Sequence, residues 1–301
     1  MPGSTGRAGG LAAALIVSLL VVAAVAGLAL VYRASVLARA GEPLKRTAEA
    51  VRTRTTPDGA DPRVELRVTQ RFGGTPMLDR RVAAGTAPDV LALLSREIAV
   101  TTSYGGGFVG AIGGVASGYT GSRPVRTDWF YYVNGLQSRV GAADVAVGPG
   151  DRIWWDFHRW DFAASAPAVV GQYPAPFTGA AHAERPTRVV YARGFEGSAR
   201  AIASALSAAG ATATIVAPAD AAAVALPGNV ILLGRWAELG DLSAVRGAAA
   251  SPGVSGVFVR FSERGVECLG ELGSVARRSP KAGAVLATAK PDDPDAVSSA
   301  R

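Results

Sequence analysis

The sequence predicts an α+β protein that has one N-terminal transmembrane helix, a small domain with one helix on a mostly antiparallel sheet, and a C-terminal α/β domain. Three observations predict this organisation: an uncharged apolar run over residues 9–32, alternating and aromatic strand patterns in residues 61–163, and strands that alternate with helices in residues 187–290. Strands grouped around one helix are typical of α+β domains, whereas regular alternation of strand and helix is typical of α/β sheets.

Residues 9–32 carry no charged side chain, and residues 11–31 are almost entirely Leu, Val, Ile and Ala. A helix needs about 20 apolar residues to cross a bilayer, whereas the apolar part of a cleavable signal peptide is usually about 7–15 residues long. We therefore expect an uncleaved membrane anchor that follows a short tail, residues 1–8. Cleavage near the small-residue triplet Ala38-Arg39-Ala40 is the alternative.

The charges around the anchor do not settle its orientation. Six basic residues lie within residues 33–54, whereas only Arg7 precedes the apolar run. The positive-inside tendency would place the C-terminal region in the cytoplasm, but a first hydrophobic segment often translocates the long domain that follows it.

The composition narrows the function classes. The 301-residue chain has a formal net charge of +7 and a single cysteine, Cys268. One cysteine excludes an intramolecular disulfide and any Cys-based zinc cluster. The basic residues are scattered among acidic ones, so we expect a solvated surface and no nucleic-acid partner. The chain has two histidines, His158 and His182, and lacks the H-E-x-x-H and G-x-S-x-G motifs, so we predict neither an enzyme nor a metal site.

The small domain begins after a predicted linker, residues 33–60, which contains Pro43 and the turn-forming run 56–59. Apolar and polar residues then alternate and predict a half-buried strand at Val64, Leu66 and Val68. The run Thr86-Ala87-Pro88-Asp89 predicts a capped helix start, followed by an apolar helix side at Val90, Leu91, Leu93 and Leu94.

Glycine turns and aromatic strands follow this helix. We predict a short strand at residues 108–112 and an aromatic strand at residues 129–133. The second strand ends at Asn134-Gly135, a hairpin signal because both residues tolerate positive φ. Residues 148–151, which include Gly150 and Asp151, predict a tight turn that leads into a strand at residues 152–162.

The chain beyond residue 163 has a different pattern. Residues 164–186 are rich in Pro and Ala and predict a connector, and residues 291–301 predict a disordered tail. Between them we predict strands at residues 188–192, 212–217, 229–233, 254–261, 265–269 and 284–287. Predicted helices cover residues 198–209, closed by Gly210, and residues 239–249.

Nine of the 21 aromatic residues lie in residues 129–162. Because alternate side chains of a strand share a face, Ile153, Trp155 and Phe157 predict a core face, and Trp154, Asp156, His158 and Trp160 predict a mixed face on the other side. An aromatic surface of this kind often marks a binding site. The equal alternative is a face that is covered by the second domain or by connector residues 169–177. His158 could act as a ligand or acid–base group, although a partly exposed strand histidine is commoner.

Two glycine-rich segments fit a phosphate-binding pattern poorly. Residues 105–110 match G-x-G-x-x-G, but a helix precedes them and a strand follows, which is the reverse of the dinucleotide-binding order. Residues 193–198 do lie between a strand and a helix and could hold an anion. Glu196 would oppose a phosphate there, so an ordinary β/α turn explains this segment better.

Four blocks carry a resemblance to a known family: residues 85–94, residues 108–113, W-x-Y-x-V-N-G within residues 128–135, and G-D-x-I-x-W within residues 148–155. Together they resemble the domain of formerly unknown function that also forms the C-terminal domain of transcobalamin and intrinsic factor. The resemblance covers residues 61–163. It implies a β-grasp-like, exported, ligand-binding domain, with cobalamin as a candidate ligand. The helical barrel that holds the other face of cobalamin in the vitamin carriers is absent.

We therefore expect a single-pass, membrane-anchored, extracytoplasmic binding protein that is not an enzyme, has no cofactor, and captures a cobalamin-like or other planar small molecule. The predicted ligand site consists of Trp129, Tyr131, Trp154, His158 and Trp160. The predicted structural turn residues are Asn134, Gly135, Gly150 and Asp151. The alternative is a structural or protein-interaction module whose aromatic residues pack internally or against a membrane transporter or envelope protein. An enzyme in the C-terminal region would rest on fold analogy alone.

Overall fold

The computed structural model describes residues 63–85, 87–118, 125–178, 185–216, 224, 227–262, 265–289 and 297–300. All of them belong to one compact unit, residues 50–301. The described chain is mixed α+β, with mostly strands and few helices, which confirms the predicted class. The predicted tail, anchor and linker, residues 1–60, lie outside the described residues. No helix in the described part of the chain is long and apolar enough to cross a membrane.

The first half of the described chain is built on a five-stranded sheet. Its strands, with three short strands that pack beside it, are β1 Arg63–Gln70, β2 Thr75–Ala83, β3 Val100–Ser103, β4 Phe108–Ile112, β5 Val115–Ala116, β6 Thr127–Val133, β7 Leu136–Gln137 and β8 Arg152–Arg159. The order in the large sheet is β2-β1-β8-β6-β7, and β3-β4-β5 form a separate small sheet. The pair β1–β8 is parallel and the other pairs are antiparallel, so the sheet is mostly antiparallel.

One helix, α1 Val90–Glu97, packs on this sheet. Its N-cap is Asp89, whose carboxylate accepts a hydrogen bond from the amide of Ala92 at 2.7 Å. Thr86, the first residue of the predicted capped helix start, lies outside the described residues. The helix buries Val90, Leu93 and Leu94 against the completely buried side chains of β1, Val64, Leu66 and Val68. Each such side chain contributes about 1.5–3 kcal/mol through its removal from water.

The predicted turn residues form two linked turns. Asn134 and Gly135 have φ of 54° and 88°, as a two-residue hairpin between β6 and β7 requires. Gly150 also has positive φ, and Asp151 accepts the amide of Gly148 at 2.7 Å. These turns place β6 and β8 side by side at the centre of the sheet.

The second half forms a mostly parallel sheet. Its strands, with those of a small neighbouring sheet, are β9 Thr187–Tyr191, β10 Ala213–Val216, β11 Asn229–Leu233, β12 Val259–Ser262, β13 Gly265–Leu269, β14 Val275–Ser279, β15 Leu286–Ala289 and β16 Val297–Ala300. The main order is β10-β9-β11-β16-β15, in which only β15 is antiparallel; β12-β13-β14 form the small sheet. The helices are α2 Glu196–Ala208, α3 Trp236–Leu239, α4 Ser243–Ala250 and α5 Pro252–Ser255.

Both faces of this second sheet are covered. On one face Val189, Ile231 and Leu233 pack against Ala199 and Leu206 of α2. On the other face the alternate strand residues pack against α3 and α4, with the core residues Val190, Val230, Leu232, Leu239, Leu242 and Val245. The near-continuous apolar sequence of β11 follows from this burial on both sides.

The structure differs from the sequence prediction at several places, including the predicted helix 239–249, which is divided into α3 and α4. Residues 254–261 are not one strand, because Pro252 starts a helical turn that ends at Gly256 with φ of 68°, and the strand begins at Val259. Residues 297–300 of the predicted disordered tail form β16, because β11 and β15 pair with it on both sides. Strands β2 and β14 were not predicted, since neither has a clear alternation of buried and exposed residues.

Candidate functional site

Four of the five predicted ligand-site residues lie on two opposite faces of the first sheet, and Trp160 directly follows β8. In the register of β6 and β8, Trp129 is opposite Phe157 and Tyr131 is opposite Trp155, whereas Asp128 is opposite His158. Directly opposed residues of an antiparallel pair share a face. Trp129 and Tyr131 therefore lie on the α1 side, and Trp154 and His158 lie on the other side. The structure therefore does not bring all five residues together on one face.

The two residues on the α1 side belong to the core. Each is 8% exposed. The Trp129 Nε1–H donates to the carbonyl of Val115 at 2.9 Å, and the Tyr131 hydroxyl donates to the carbonyl of Val140 at 2.6 Å. Burial raises the pKa of Tyr131 far above its ordinary value, so the phenol stays neutral. Their polar atoms are thus used inside the protein and not presented to a ligand.

The other face is organised around the completely buried carboxylate of Asp156. It accepts hydrogen bonds from the Thr69 hydroxyl, from the amide of Phe72 at 2.8 Å and from the amide of Gly73 at 3.0 Å. His158 Nδ1 lies 2.9 Å from its second oxygen. Burial alone would raise the pKa of Asp156, but the hydrogen bonds from His158, Thr69 and Gly73 hold it below its ordinary value. The group is therefore an ionised, fully hydrogen-bonded carboxylate.

This carboxylate fixes the turn between β1 and β2. Arg71, Phe72 and Gly73 have successive φ values of 58°, 53° and 84°. Successive amides in this conformation form a concave anion-binding nest, and here Asp156 occupies it. An ionised carboxylate only accepts hydrogen bonds, so His158 Nδ1 carries the proton. The Thr69 hydroxyl is directed to Asp156 and not to the imidazole, which is a structural arrangement and not that of an activated nucleophile.

Aromatic rings cover the remainder of this face. His158 is stacked between Phe72 and Phe130, with ring centroids 4.0 and 4.4 Å away. Phe72 in turn contacts Phe258, which precedes β12, at 4.9 Å. Trp154 Nε1–H donates to Thr69 Oγ1 at 2.7 Å. His158 and Trp154 are therefore buried by side chains of the first half, and Phe258 of the second half reaches this cover through Phe72.

Trp160 and the connector complete this cover. The guanidinium carbon of Arg126 lies 5.3 Å from the centroid of the half-buried Trp160 ring. Arg152 donates to the carbonyl of Tyr173 at 2.8 Å, and Leu136 forms a backbone bridge with Ala168. The buried Asn229 donates to the carbonyl of Pro176 at 3.2 Å, which ties the connector to β11. None of the predicted site residues lines any of three cavities found among the described residues.

A different site opens at the carboxyl ends of the parallel strands. The chain leaves β9, passes through α2 and returns as β10 on one side of β9, whereas β11 lies on the other side. Loops that leave neighbouring parallel strands in opposite directions create a crevice, and ligands of open α/β sheets bind at such switch points. The loop after β9 and the loop after β11 both line this crevice.

A cavity of about 400 Å³ occupies this switch point, which we call the switch-point crevice. Trp236 and Phe261 stack in parallel there, with ring centroids 4.4 Å apart and an interplanar angle of 9°. Trp236 is 38% exposed, an unusual value for a tryptophan in this chain. The guanidinium carbon of Arg235 lies 5.8 Å from the Phe195 ring centroid. The crevice is lined by Phe195, Gly234, Arg235, Trp236, Leu239, Val245, Phe261, Gly265, Val266, Ala282, Gly283, Ala284 and Leu286.

The backbone that follows β11 lines this crevice and requires a glycine at position 234. A Cβ atom on Gly234 would lie 2.8 Å from the Cβ of Ala192 and 2.9 Å from the Cγ of Leu239, so only glycine fits between them. The chain then turns sharply and presents Arg235 and Trp236 in succession. Sequence reasoning missed this site. The available signal was an Arg-Trp pair directly after the buried strand 229–233, at the end where α/β proteins bind ligands.

The crevice is predominantly apolar. Among its described lining residues, Arg235 alone carries a charged side chain, and its Nη1 lies 3.7 Å from Glu238 Oε1. The segment 193–198, considered above as an anion-binding turn, contributes the Phe195 ring. In the part of the chain that the structure describes, no group of three His, Cys, Asp or Glu side chains could hold a metal. The crevice is chemically suited to a flat apolar ring that carries one negative charge.

Residues 86–159 match the model of a family described as a Domain of unknown function (DUF4430). A crystal structure of a candidate metal-binding protein from Ruminococcus gnavus aligns over 33% of this chain and 98% of its own length, with 14% identity and a TM-score of 0.27. No curated protein matches the chain.

The family match corrects the expected resemblance to transcobalamin and intrinsic factor, which was wrong. The blocks that suggested it serve strand and turn geometry here: Asn134 and Asp151 bond each other, and Trp129, Tyr131 and Trp155 fill the core. Such residues report how two strands and a turn are built, and they carry no information about a ligand. The expectation of cobalamin, which rested on that resemblance, loses its basis.

Proposed function

We propose that this chain is a non-enzymatic binding protein whose site is the switch-point crevice and whose ligand is a small planar ring with one acidic group. The observation that carries the proposal is the parallel pair of Trp236 and Phe261, with Trp236 partly exposed beside Arg235. In this proposal residues 9–32 anchor the protein and the binding region is extracytoplasmic, as expected from the sequence.

Apolar burial and stacking would supply most of the affinity. The cavity volume of about 400 Å³ lies within the range of small-molecule sites, which are mostly apolar with a few oriented polar groups. A planar ring that stacks on an aromatic side chain gains about 0.5–1.5 kcal/mol beyond its area burial. Arg235 would select a carboxylate or similar anion, because its planar guanidinium matches such groups.

Binding is better supported than catalysis in this crevice. The described lining residues include no histidine, carboxylate, thiol or hydroxyl side chain that could act as nucleophile or general acid–base group. The first sheet, a β-grasp-like domain in this proposal, would then act as the platform that holds the binding domain through contacts such as that of Phe72 with Phe258.

The proposal can be tested by calorimetric titration of the full chain with 2-naphthoate and, as a matched neutral ring, 2-naphthamide. We expect saturable binding of both, tighter for the carboxylate. Trp236→Ala should weaken both at least tenfold, since a stacking surface is lost. Arg235→Gln should abolish the preference for the carboxylate over the amide.

The control variant is Arg200→Gln, which removes one exposed arginine from α2 that pairs with Glu196 and does not line the crevice. Its affinities should equal those of the wild type. Absence of saturable heat at millimolar ligand, or unchanged binding by Trp236→Ala, would refute the proposal.

A further inference from the structure

A second charged site lies on the first sheet, far in sequence from the crevice. The strand register places Arg81 of β2 and Arg152 of β8 on either side of Glu65 of β1. Residues that are opposite each other on neighbouring strands share a face, so these three side chains form one row across the sheet. Arg63, two positions before Glu65, lies on the same face.

Glu65 holds two of these arginines in place. Its Oε1 accepts from Arg81 Nη2 at 2.9 Å, and its Oε2 lies 3.1 Å from Arg152 Nε. Arg152 also donates through Nη1 to the carbonyl of Tyr173 at 2.8 Å. The Arg152 side chain is only 25% exposed, whereas that of Arg81 is 57% exposed. Arg152 is therefore a fixed charge at the base, and Arg81 reaches the surface.

A cleft of about 210 Å³ opens over this row. Its described lining carries three positive charges, on Arg63, Arg81 and Arg152, and one negative charge, on Glu65. Gly150 forms part of the cleft wall. A Cβ atom on Gly150 would have no neighbouring atom within 4 Å, so the space beside this residue is open. The other lining residues are Pro174, Ala175 and Thr178.

From this geometry we infer that the cleft, here called the arginine cleft, is a binding site for a phosphate group. Guanidinium groups bind phosphate through paired N–H donors and remain charged at any physiological pH. Two arginines whose orientation is already fixed by Glu65 lose less side-chain entropy when they bind an anion. The cleft is too small for a whole drug-sized molecule, so it suits one phosphate and the atoms next to it.

The same phosphate chemistry could come from a soluble phosphate ester or from an anionic lipid headgroup. Titration of the full chain with glycerol 3-phosphate and with dihexanoyl phosphatidic acid below its micelle concentration separates them, since both present a phosphomonoester. Equal affinities would show that a soluble phosphate ester is sufficient for binding and that acyl chains do not contribute. Much tighter binding of the lipid would show that acyl chains contribute and would identify a headgroup site.

The decisive variants form a matched pair. Arg81→Gln removes a cleft arginine, whereas Arg67→Gln removes an arginine of similar exposure that pairs with Asp79 one row further along the same strands and does not line the cleft. We expect saturable binding of glycerol 3-phosphate that Arg81→Gln weakens at least tenfold and Arg67→Gln leaves within twofold of the wild type. Arg63→Gln should weaken it as well.

Equal weakening by Arg67→Gln would show only a response to net charge and would overturn the inference, as would the absence of saturable binding at millimolar phosphate ester. Circular dichroism of each variant keeps a folding defect separate from a binding defect. The inference is independent of the switch-point crevice, because Arg81→Gln should leave 2-naphthoate binding unchanged and Trp236→Ala should leave phosphate binding unchanged.

Discussion

Asn134 and Asp151 hold two turns of the first sheet together. Asn134 Nδ2 donates to Asp151 Oδ1 at 2.9 Å, and Asn134 Oδ1 accepts the amide of Arg152 at 2.9 Å. Asp151 is buried, at 4% exposure, and its other oxygen accepts the amide of Gly148. Asn134 thus makes hydrogen bonds with the turn before β8 and itself occupies a positive-φ position after β6.

This relationship predicts the result of two substitutions at residue 134. Asn134→Gly keeps the positive φ but removes the side-chain amide, and should lower the free energy of unfolding by about 1–3 kcal/mol, because the buried Asp151 carboxylate loses one of its hydrogen-bond donors. Asn134→Ala should cost about 1 kcal/mol more through backbone strain. Urea unfolding at pH 7 measures both. Equal stability of Asn134→Gly and the wild type would show that the amide contributes nothing.

Acid should destabilise the protein through Asp156. Its folded pKa is below its ordinary value of 3.8, so the stability it contributes is present above that value and is lost as the pH falls through the folded pKa. Asp128 acts in the opposite direction, because burial raises its pKa. Urea unfolding of the wild type between about pH 2 and 6 should show a loss of stability toward the acid end.

The Asp156→Asn variant removes this titration. We expect it to be about 3 kcal/mol less stable than the wild type at pH 6, since an amide cannot accept from four donors, and to show a shallower loss of stability in acid. Asp241→Asn, which changes a carboxylate whose side chain is 97% exposed, serves as the control and should retain the wild-type profile. A pH profile of Asp156→Asn that parallels the wild type would contradict the assignment.

Two glycine substitutions separate backbone strain from steric overlap. Gly171 and Gly273 both have positive φ, of 90° and 76°. A Cβ on Gly171 would meet nothing within 4 Å, whereas one on Gly273 would lie 2.3 Å from Cδ2 of Phe162. Gly171→Ala should therefore cost about 1 kcal/mol. Gly273→Ala should cost about 2 kcal/mol more, because Phe162 must leave its contact with Phe258.

Thermal unfolding of the two glycine variants in parallel measures this difference. A Gly273→Ala variant that is as stable as Gly171→Ala would contradict the packing of Phe162 against Gly273 and Phe258.

Tryptophan fluorescence can test which aromatic residues reach solvent. Trp129 and Trp154 are 8% exposed and Trp155 is 2% exposed, whereas Trp236 is 38% exposed. Acrylamide should quench only a minor fraction of the wild-type emission. Trp236→Phe should remove a larger part of that accessible fraction than Trp154→Phe, and the half-buried Trp160 accounts for the remainder. A large accessible fraction that persists in Trp236→Phe would reopen the first sheet as a binding surface.

Local sequence signals predicted much of the fold. Strand β1 follows from the alternation of Val64, Leu66 and Val68, and the hairpin at Asn134-Gly135 follows from the tolerance of both residues for positive φ. These features depend on a few neighbouring residues, so they can be read without knowledge of the tertiary structure. Strand β11 was predicted for the same reason, from a short and continuous apolar run.

The remainder depends on long-range pairing. Strand β2 is held by β1 and by a turn that Asp156 fixes from a distant strand. The face of each aromatic residue depends on the register of β6 against β8, and the sequence does not contain that register. Trp129 and Tyr131 were therefore grouped with Trp154 when they belong with Trp155. The crevice was missed because its walls come from loops and strands between Phe195 and Leu286.

The parallel pairing of β1 with β8 constrains when the first sheet can fold during translation. Thr69 and Asp156, which bond across these strands, are separated by 87 positions, and β1 lies outside the matched segment 86–159. During translation β1 and β2 emerge first and can form only a hairpin, a unit with little stability of its own in water. We expect the nascent domain to remain incomplete until β8 has left the ribosome. A fragment cut at residues 86–159 would expose the edge of β8 that β1 normally occupies, and such an edge invites aggregation.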